Sequence, residues 1–506
     1  MQNRDAEPLL RMEHIVKRYG DLVANDDVSL TLYKGEILAV IGENGAGKTT
    51  LMKVLYGMEQ ANGGCIYLHG GPVAIRDSAQ AIAHGIGMVQ QHFMLFDPFT
   101  VAENVVYGKE PKAGLYFDLK KATATVGELS QKYELPLDPN AKILGMPVGL
   151  RQRVEILKVL YQNADIIIFD EPTAVLTPQE VHELLKTMKK LAAAGKSIII
   201  ITHKLNEVME VADRAMVMRT GKLIADVEIK DTTIEELSFM MVGRHLAETD
   251  IPAVEPGEDV LRIENLVLNG GGGAPALDGL SLHVRAGEIV GIAGVSGNGQ
   301  SELAQCIFGL AKPDGGSIKI RGREVGGCNV RAVRAAGAAM IPEDRYIWGS
   351  ASQATVTETG IMGHYIQPAF SHRGVLKSKK IQQFAQELID RFAVKTDGIE
   401  AKTGSLSGGN SQKLIAAREI MHKSPLLLAC EPTRGVDVGA MEFIHEQLVK
   451  KRAAGDGVLL ISSELSEVIK LSDRIYVMYR GRVNGEFTRG HVKEEELGLL
   501  MARGKA

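Results

Sequence analysis

The ten residues Ile41-Gly42-Glu43-Asn44-Gly45-Ala46-Gly47-Lys48-Thr49-Thr50 restrict the fold more than any other stretch of this chain. They fit G-x-x-x-x-G-K-[ST] through Gly42, Gly47, Lys48 and Thr49, the pattern of a loop that wraps a nucleotide phosphate chain. The context agrees: Ile37 to Ile41 is a continuous apolar run that reads as a buried strand, and Lys48 to Tyr56 reads as the opening of a helix. Glycines let backbone N–H groups converge on phosphate oxygens, and the helix dipole favours their charge. Lys48 reaches the β and γ phosphates and the Thr49 hydroxyl faces Mg²⁺, while Glu43, Asn44, Gly45, Ala46 and Thr50 complete the cradle. The competing reading is a strand-to-helix turn with no ligand, and the number of fixed positions in the required context argues against it.

Length and charge set the limits around that loop. A chain of 506 residues exceeds one core and suggests two to four domains. With 58 basic and 62 acidic residues the net charge is −4, so no basic footprint for nucleic acid is present. No apolar run approaches the ~18 residues that cross a bilayer, and the N-terminal MQNRDAEPLL has no signal-peptide core, so the chain is expected in the cytosol. Cys65, Cys306, Cys328 and Cys430 are far apart without C-x-x-C spacing, and are expected to be reduced, mostly buried thiols.

From Leu10 to Tyr33 the alternation predicts antiparallel strands ahead of the loop. Tyr19 is placed to stack on a purine ring, and a half-exposed strand aromatic fits it equally well. After Gly85 a short strand runs into an apolar loop with Phe93, Met94, Leu95, Phe96 and Phe99. These either present a docking surface or fold back into the core. Residues near Val101 to Ile143 read as a helical subdomain.

Ile166 to Phe169 followed by Asp170 and Glu171 is the pattern of a buried parallel strand with two acids at its C-terminal end. Asp170 can hold Mg²⁺ through water, and Glu171 can orient and polarise the water that attacks a γ-phosphate. A helix from Pro178 to Ala193 and a strand from Ser197 to Thr202 follow, ending at His203, a candidate γ-phosphate contact.

The second half repeats the first. Gly35-Glu36 recurs as Gly287-Glu288 and Gly42 as Gly294, both 252 residues on, whereas Glu171 recurs as Glu431, 260 residues on. Two copies of one domain with a net eight-residue insertion in the second account for this, joined near Val242 to Gly257.

This motif order resembles the ATP-binding subunits of ABC transporters with two nucleotide-binding domains in one polypeptide, and the resemblance covers nearly the whole chain. Its strongest mark is Leu406-Ser407-Gly408-Gly409-Asn410, which is similar to the family's signature motif. The resemblance makes Lys48 the phosphate-loop lysine and Gln91 the Q-loop glutamine, a catalytic and Mg²⁺-binding position. Asp170 and Glu171 become the magnesium and catalytic carboxylates and His203 the switch histidine. In such proteins the domains pair head to tail, each ATP lying between one phosphate loop and the other domain's signature, here Ser407, Gly408 and Gly409.

In the second copy Gly294, Gly297, Gly299, Gln300 and Ser301 keep the loop pattern, but Gln300 stands at the position of Lys48, Cys430 at that of Asp170, Ser463 at that of His203 and Glu343 at that of Gln91. The first half's signature position reads Met146-Pro147-Val148-Gly149-Leu150, and Pro147 offers a phosphate neither hydroxyl nor N–H. One competent and one degenerate ATPase site are expected. A hydrogen bond to a charged group contributes about 1.5–3 kcal/mol, so replacing lysine by Gln300 alone is expected to weaken phosphate binding by about one to two orders of magnitude.

The expected fold is α/β, two tandem P-loop domains, each with a core parallel sheet, an antiparallel β subdomain and a helical subdomain. Residues 8–245 form the first, 246–258 the linker and 259–503 the second. Tandem chains of this kind resemble importers for simple sugars and nucleosides, and Gly87 to Phe93, Gln152 to Lys158, Asp170 to Glu180 and Glu431 to His445 favour the nucleoside branch over monosaccharides. The resemblance implies ATP and Mg²⁺ as cofactors, separate membrane permease subunits and an extracytoplasmic binding protein as partners, and a peripheral place on the cytoplasmic face of the cell membrane. Soluble tandem ATPases that act on ribosomes or DNA are the alternative class, and they are expected to carry basic extensions or long inserts and two intact sites.

Overall fold

The computed structural model describes the chain except residues 1–6, 21, 91–92, 115, 174–175, 177, 244–250, 271–274, 296, 491–493 and 503–506. It divides into two compact units, Met1–Ala247 and Glu248–Ala506. No helix among the described residues is long and apolar enough to cross a membrane.

The first unit runs β1 (Leu10–Tyr19), β2 (Leu22–Leu32), β3 (Ile37–Gly42), α1 (Lys48–Leu55), β4 (Gly63–Leu68), β5 (Gly71–Val73), α2 (Ser78–Ala83), β6 (Ile86–Val89), α3 (Val101–Val106), β7 (Lys112–Ala113), β8 (Tyr116–Phe117), α4 (Leu119–Lys132), α5 (Val148–Tyr161), β9 (Ile166–Asp170), α6 (Pro178–Ala193), β10 (Ser197–Thr202), α7 (Leu205–Val211), β11 (Arg214–Arg219), β12 (Lys222–Glu228) and α8 (Ile234–Val242). The expected antiparallel strands are β1 and β2, in a sheet of order β2-β1-β4-β5. The main sheet has the order β12-β11-β3-β10-β9-β6, in which only β12 pairs antiparallel.

The apolar runs explain that sheet. Every residue of β3, β9 and β10 is buried, as a strand covered on both faces requires. Alternate residues face opposite layers: Ala39, Ile167 and Ile200 join the core beneath α5 and α6, whereas Leu38, Ile168 and Ile199 join the core shared with α1 and the antiparallel sheet. The region near 101–143 holds α3 and α4 as expected, but it also contains the small β7–β8 hairpin, turned through Gly114 at φ 66°. Two exposed residue pairs carry no burial period that a sequence could display.

The second unit repeats the order with β13 (Asp259–Asn269), β14 (Pro275–Arg285), β15 (Ile289–Ala293), α9 (Gln300–Phe308), β16 (Gly315–Ile320), β17 (Arg323–Glu324), α10 (Val330–Ala336), β18 (Ala338–Ile341), α11 (Val356–Ile361), β19 (Ser371–His372), β20 (Val375–Leu376), α12 (Ser378–Phe392), α13 (Gly408–Met421), β21 (Leu426–Cys430), α14 (Val438–Ala453), β22 (Gly457–Ile461), α15 (Leu465–Leu471), β23 (Arg474–Tyr479), β24 (Arg482–Thr488) and α16 (Glu494–Ala502). Its main sheet, β18-β21-β22-β15-β23-β24, has the same connectivity. The insertion is distributed. The offset is 252 at β18 (338 against 86), 255 at α11 (356 against 101), 259 at β19 (371 against 112) and 260 at α13 (408 against 148). Part of it forms a short π-helical turn, Arg345–Gly349, with Tyr346, Ile347 and Trp348 exposed.

The cysteines correct one expectation. Cys306 and Cys430 are buried, but Cys328 is half-buried and Cys65 exposed, because Cys65 sits on the outer face of β4.

Each unit is closed by a buried ion pair. Arg214 Nε lies 2.7 Å from Glu36 Oε1, both side chains 4% exposed, and the guanidinium also donates to Thr31 O (2.6 Å) and Asp226 Oδ2 (2.5 Å). Leaving Glu36 buried without its partner is expected to cost about 3–5 kcal/mol. Urea denaturation of Arg214→Leu should therefore show that loss in the first unit, whereas Arg153→Ala, which removes a surface pair with Glu183, should change stability by only about 0–1 kcal/mol.

Candidate functional site

In the first unit β3 ends at Gly42 and α1 starts at Lys48, so the loop between them lies at a helix N-terminus. Its shape depends on two glycines. A Cβ at Gly42 would lie 2.2 Å from Met218 O, and one at Gly47, which has φ 96°, would lie 2.3 Å from Ala24 O and 2.7 Å from Asn25 Nδ2. Asn25, fully buried, donates to Gly47 O at 3.0 Å, and Gly221 N donates to Ala46 O at 3.1 Å. The loop is thus gripped between the β1–β2 sheet and the β11–β12 turn. Sequence reasoning missed Asn25, since no local pattern marks a side chain whose partner lies 22 residues away.

Lys48 is 5% exposed and donates to Gly42 O (2.7 Å) and Glu43 O (2.9 Å). Burial lowers its pKa, against the opposing pull of Glu171, Asp170 and Glu43. Thr49 Oγ1 donates to Asp170 Oδ1 at 3.2 Å, and burial raises the Asp170 pKa. Thr50 follows in α1, and Asn44 and Gly45 are exposed at the loop tip.

Glu171 adopts a left-handed φ of 47°, held by its N–H donating to Ile201 O at 3.0 Å. Its Oε1 is 3.4 Å from His203 Nδ1, and this contact keeps the carboxyl below its ordinary range although burial opposes it. Lys48, Thr49, Asp170, Glu171 and His203 therefore converge at the C-terminal ends of β3, β9 and β10. Gln91 lies outside the described residues.

Tyr19, at the end of β1, is 42% exposed, with Lys17 Nζ 4.8 Å from its ring centroid. Partial burial and then the Glu59 carboxylate push its phenol up, and its hydroxyl also meets Thr50. The apolar loop beyond β6 divides between the two expectations. Leu95 packs on the core, while Met94, Phe96 and Phe99 are exposed, the Phe96 ring packing at a tilt against Phe99 and Tyr107 with centroids 5.2 and 4.8 Å away.

The second unit keeps this backbone with other side chains. Gly297 (φ 90°) and Gly299 (φ 105°) precede α9, and a Cβ at Gly299 would lie 2.7 Å from Ala276 O. Gln300 turns back to Val295 O (3.1 Å) beside Gly294, and Ser301 Oγ donates to Glu343 Oε2 at 2.6 Å. Cys430 is 3% exposed, its thiol pushed up by burial. Glu431 repeats the left-handed turn at φ 46°, but accepts from both Ser463 N (2.6 Å) and Ser463 Oγ (2.9 Å), and burial pushes it up to about 7.

Ser407 caps α13, its Oγ accepting from Asn410, with Gly408 and Gly409 in the first turn. At the matching place in the first unit Pro147 precedes α5 and supplies no side-chain cap.

The family model described as "ABC transporter" matches residues 25–174 and 277–434. Among curated proteins the chain is 47% identical to the nucleoside import ATP-binding protein NupA of Lactococcus lactis subsp. cremoris, over 98% of this chain and 99% of that one. It is 46% identical to the guanosine import ATP-binding protein NupO of Bacillus subtilis, over 98% of each chain. It is 43% identical to a glucose import ATP-binding protein of Haloferax volcanii, over 98% of this chain and 96% of that one.

The steric contrast within the loop is testable by thermal unfolding. Gly45→Ala meets open space at φ 82° and should cost about 1–2 kcal/mol, whereas Gly47→Ala should cost more, because its Cβ overlaps the Ala24 carbonyl.

Proposed function

Because the chain belongs to the ABC transporter family, as a tandem ATP-binding subunit whose ATP hydrolysis drives import, we propose that it energises the uptake of nucleosides. The observation that carries this reading is identity of 47% and 46%, over nearly the full length, to relatives named for nucleoside and guanosine import. A monosaccharide is the second reading, favoured by the 43% identity to the glucose import protein. Uptake of radiolabelled guanosine and glucose by cells lacking this chain, with and without its return on a plasmid, decides between them. Return should restore guanosine uptake; restored glucose uptake alone would reverse the assignment.

Hydrolysis is assigned to the residues of the first unit. Lys48 exchanges the Gly42 and Glu43 carbonyls for phosphate oxygens, a charge-assisted contact. Glu171, kept ionised beside His203, accepts a hydrogen bond from the attacking water and takes its proton, and His203 holds that carboxylate in place. The Thr49 hydroxyl and Asp170 carboxylate are hard oxygen donors 3.2 Å apart, suited to Mg²⁺, which when bound neutralises phosphate charge. Gln91 is assigned to the same cation, and Tyr19, beside Thr50, to the base. Ser407, Gly408 and Gly409, at the start of α13, are assigned to ATP binding as an anion-binding helix start.

The second loop, with Gln300 for lysine and both Glu431 oxygens engaged by Ser463, is assigned to nucleotide binding without efficient turnover. Gly294, Gly297, Gly299, Gln300 and Ser301 supply its donors. The exposed Met94, Phe96 and Phe99 suit a permease docking surface, which would hold the chain peripherally on the cytoplasmic side of the membrane.

ATPase turnover of the assembled transporter tests the division of labour. Glu171→Gln should lower it by about a hundredfold or more, and Glu431→Gln should leave it near wild type. Equal loss from both changes would overturn the one-site assignment.

A further inference from the structure

We propose that Glu343 replaces, from a neighbouring strand, the carboxylate lost at Cys430, so that the second phosphate loop retains a magnesium-competent site. This rests on the reading that the second loop holds nucleotide.

In the first unit the hydroxyl at the second position of α1, Thr49, is paired with the acid that ends β9, Asp170. The same strand of the second unit, β21, ends in Cys430, whose sulfur is a soft ligand poorly matched to a hard divalent cation. The corresponding hydroxyl, Ser301, is nevertheless paired with a carboxylate. It donates to Glu343 Oε2 at 2.6 Å.

The register shows how the substitution fits. β18 and β21 are parallel neighbours, with Ile341 opposite Ala429, so the residues just past the end of β18 lie beside Cys430. Glu343 is close enough for its charge to add, after burial, to the upward shift of the Cys430 thiol. The acid has moved one strand sideways and still reaches the hydroxyl of the loop.

The amide at the matching position of the first unit, Gln91, is neutral, so the exchange to Glu343 adds the negative charge that Cys430 removed. Its other oxygen lies 3.9 Å from Arg434 Nη1, a loose contact of a 61% exposed guanidinium that solvent screens. Gln300 brings no positive charge to the phosphates, which makes a divalent cation the main source of neutralisation at this loop.

The test uses the full chain carrying Glu171→Gln to halt hydrolysis, with ATP as nucleotide and Mn²⁺ as the probe for the magnesium position. Equilibrium dialysis counts nucleotides per chain, and electron paramagnetic resonance counts bound Mn²⁺. Two of each are expected. Adding Glu343→Gln should weaken one Mn²⁺ by roughly ten- to a hundredfold and leave the other unchanged. Placing the acid back on β21, by Cys430→Asp in that same chain, should recover it. Two nucleotides with two Mn²⁺ of unchanged affinity in Glu343→Gln would overturn the proposal alone. A single nucleotide per chain before Glu343 is altered would overturn the underlying reading, and the proposal with it.

Discussion

The site of each unit depends on a buried arginine–glutamate clamp at the foot of its central strand. Arg214 opens β11, and Glu36 immediately precedes β3; their side chains meet where both are almost fully excluded from water. Arg474 and Glu288 repeat this between β23 and β15, with Nε–Oε1 at 2.9 Å. Asp213 and Asp473 add bonds to Ile37 N and Ile289 N, each at 2.9 Å. Such an arrangement adds less stability than its Coulomb energy suggests, since both ions lose hydration. Its larger effect is on register. Sliding β11 along β3 would strand the glutamate, so the clamp fixes where β3 ends and where the phosphate loop begins.

From that anchor the two units share a scaffold and differ in the groups it presents. Gln152 donates to Pro172 O at 2.7 Å and Gln412 to Pro432 O at 2.9 Å, tying α5 and α13 to the turns after the acidic strands. Thr173 and Thr433 donate to Glu207 and Glu467, both at 2.9 Å. Glu171 and Glu431 occupy the same left-handed backbone position. Changing side chains at fixed backbone points alters charge without disturbing packing, which is how a loop can lose lysine, aspartate and histidine while its glycines keep the same close approaches.

The second unit also has a buried ion cluster, two of whose three positions are apolar in the first. Glu419, fully buried, joins Arg334 of α10 and Arg418 of α13, and Arg418 donates to Gly349 O at 2.8 Å. The matching positions of the first unit are Val159, Ile82 and Lys158. A buried ion cluster of this kind resists displacement, because moving any member leaves a desolvated charge. It also holds the end of the inserted turn 345–349, whose exposed apolar residues contribute little to its own stability.

By itself the sequence determined the strand–loop–helix at Gly42 to Thr50, the acidic strand end at Asp170 and Glu171, the helix Pro178–Ala193, the strand Ser197–Thr202 and the repeat, and through them the family. These are local or periodic features: a run of apolar residues, a fixed glycine spacing and a constant offset are all written along one dimension. Tertiary structure alone decided that Asn25 supports Gly47, that Arg214 finds Glu36 across 178 residues, that only two of four cysteines are buried and that Glu343 meets Ser301. Each depends on which strands become neighbours. Read as text, Glu343 is a lost glutamine and Cys430 a lost aspartate; sheet order places the two side by side, and only then does one substitution become the complement of the other.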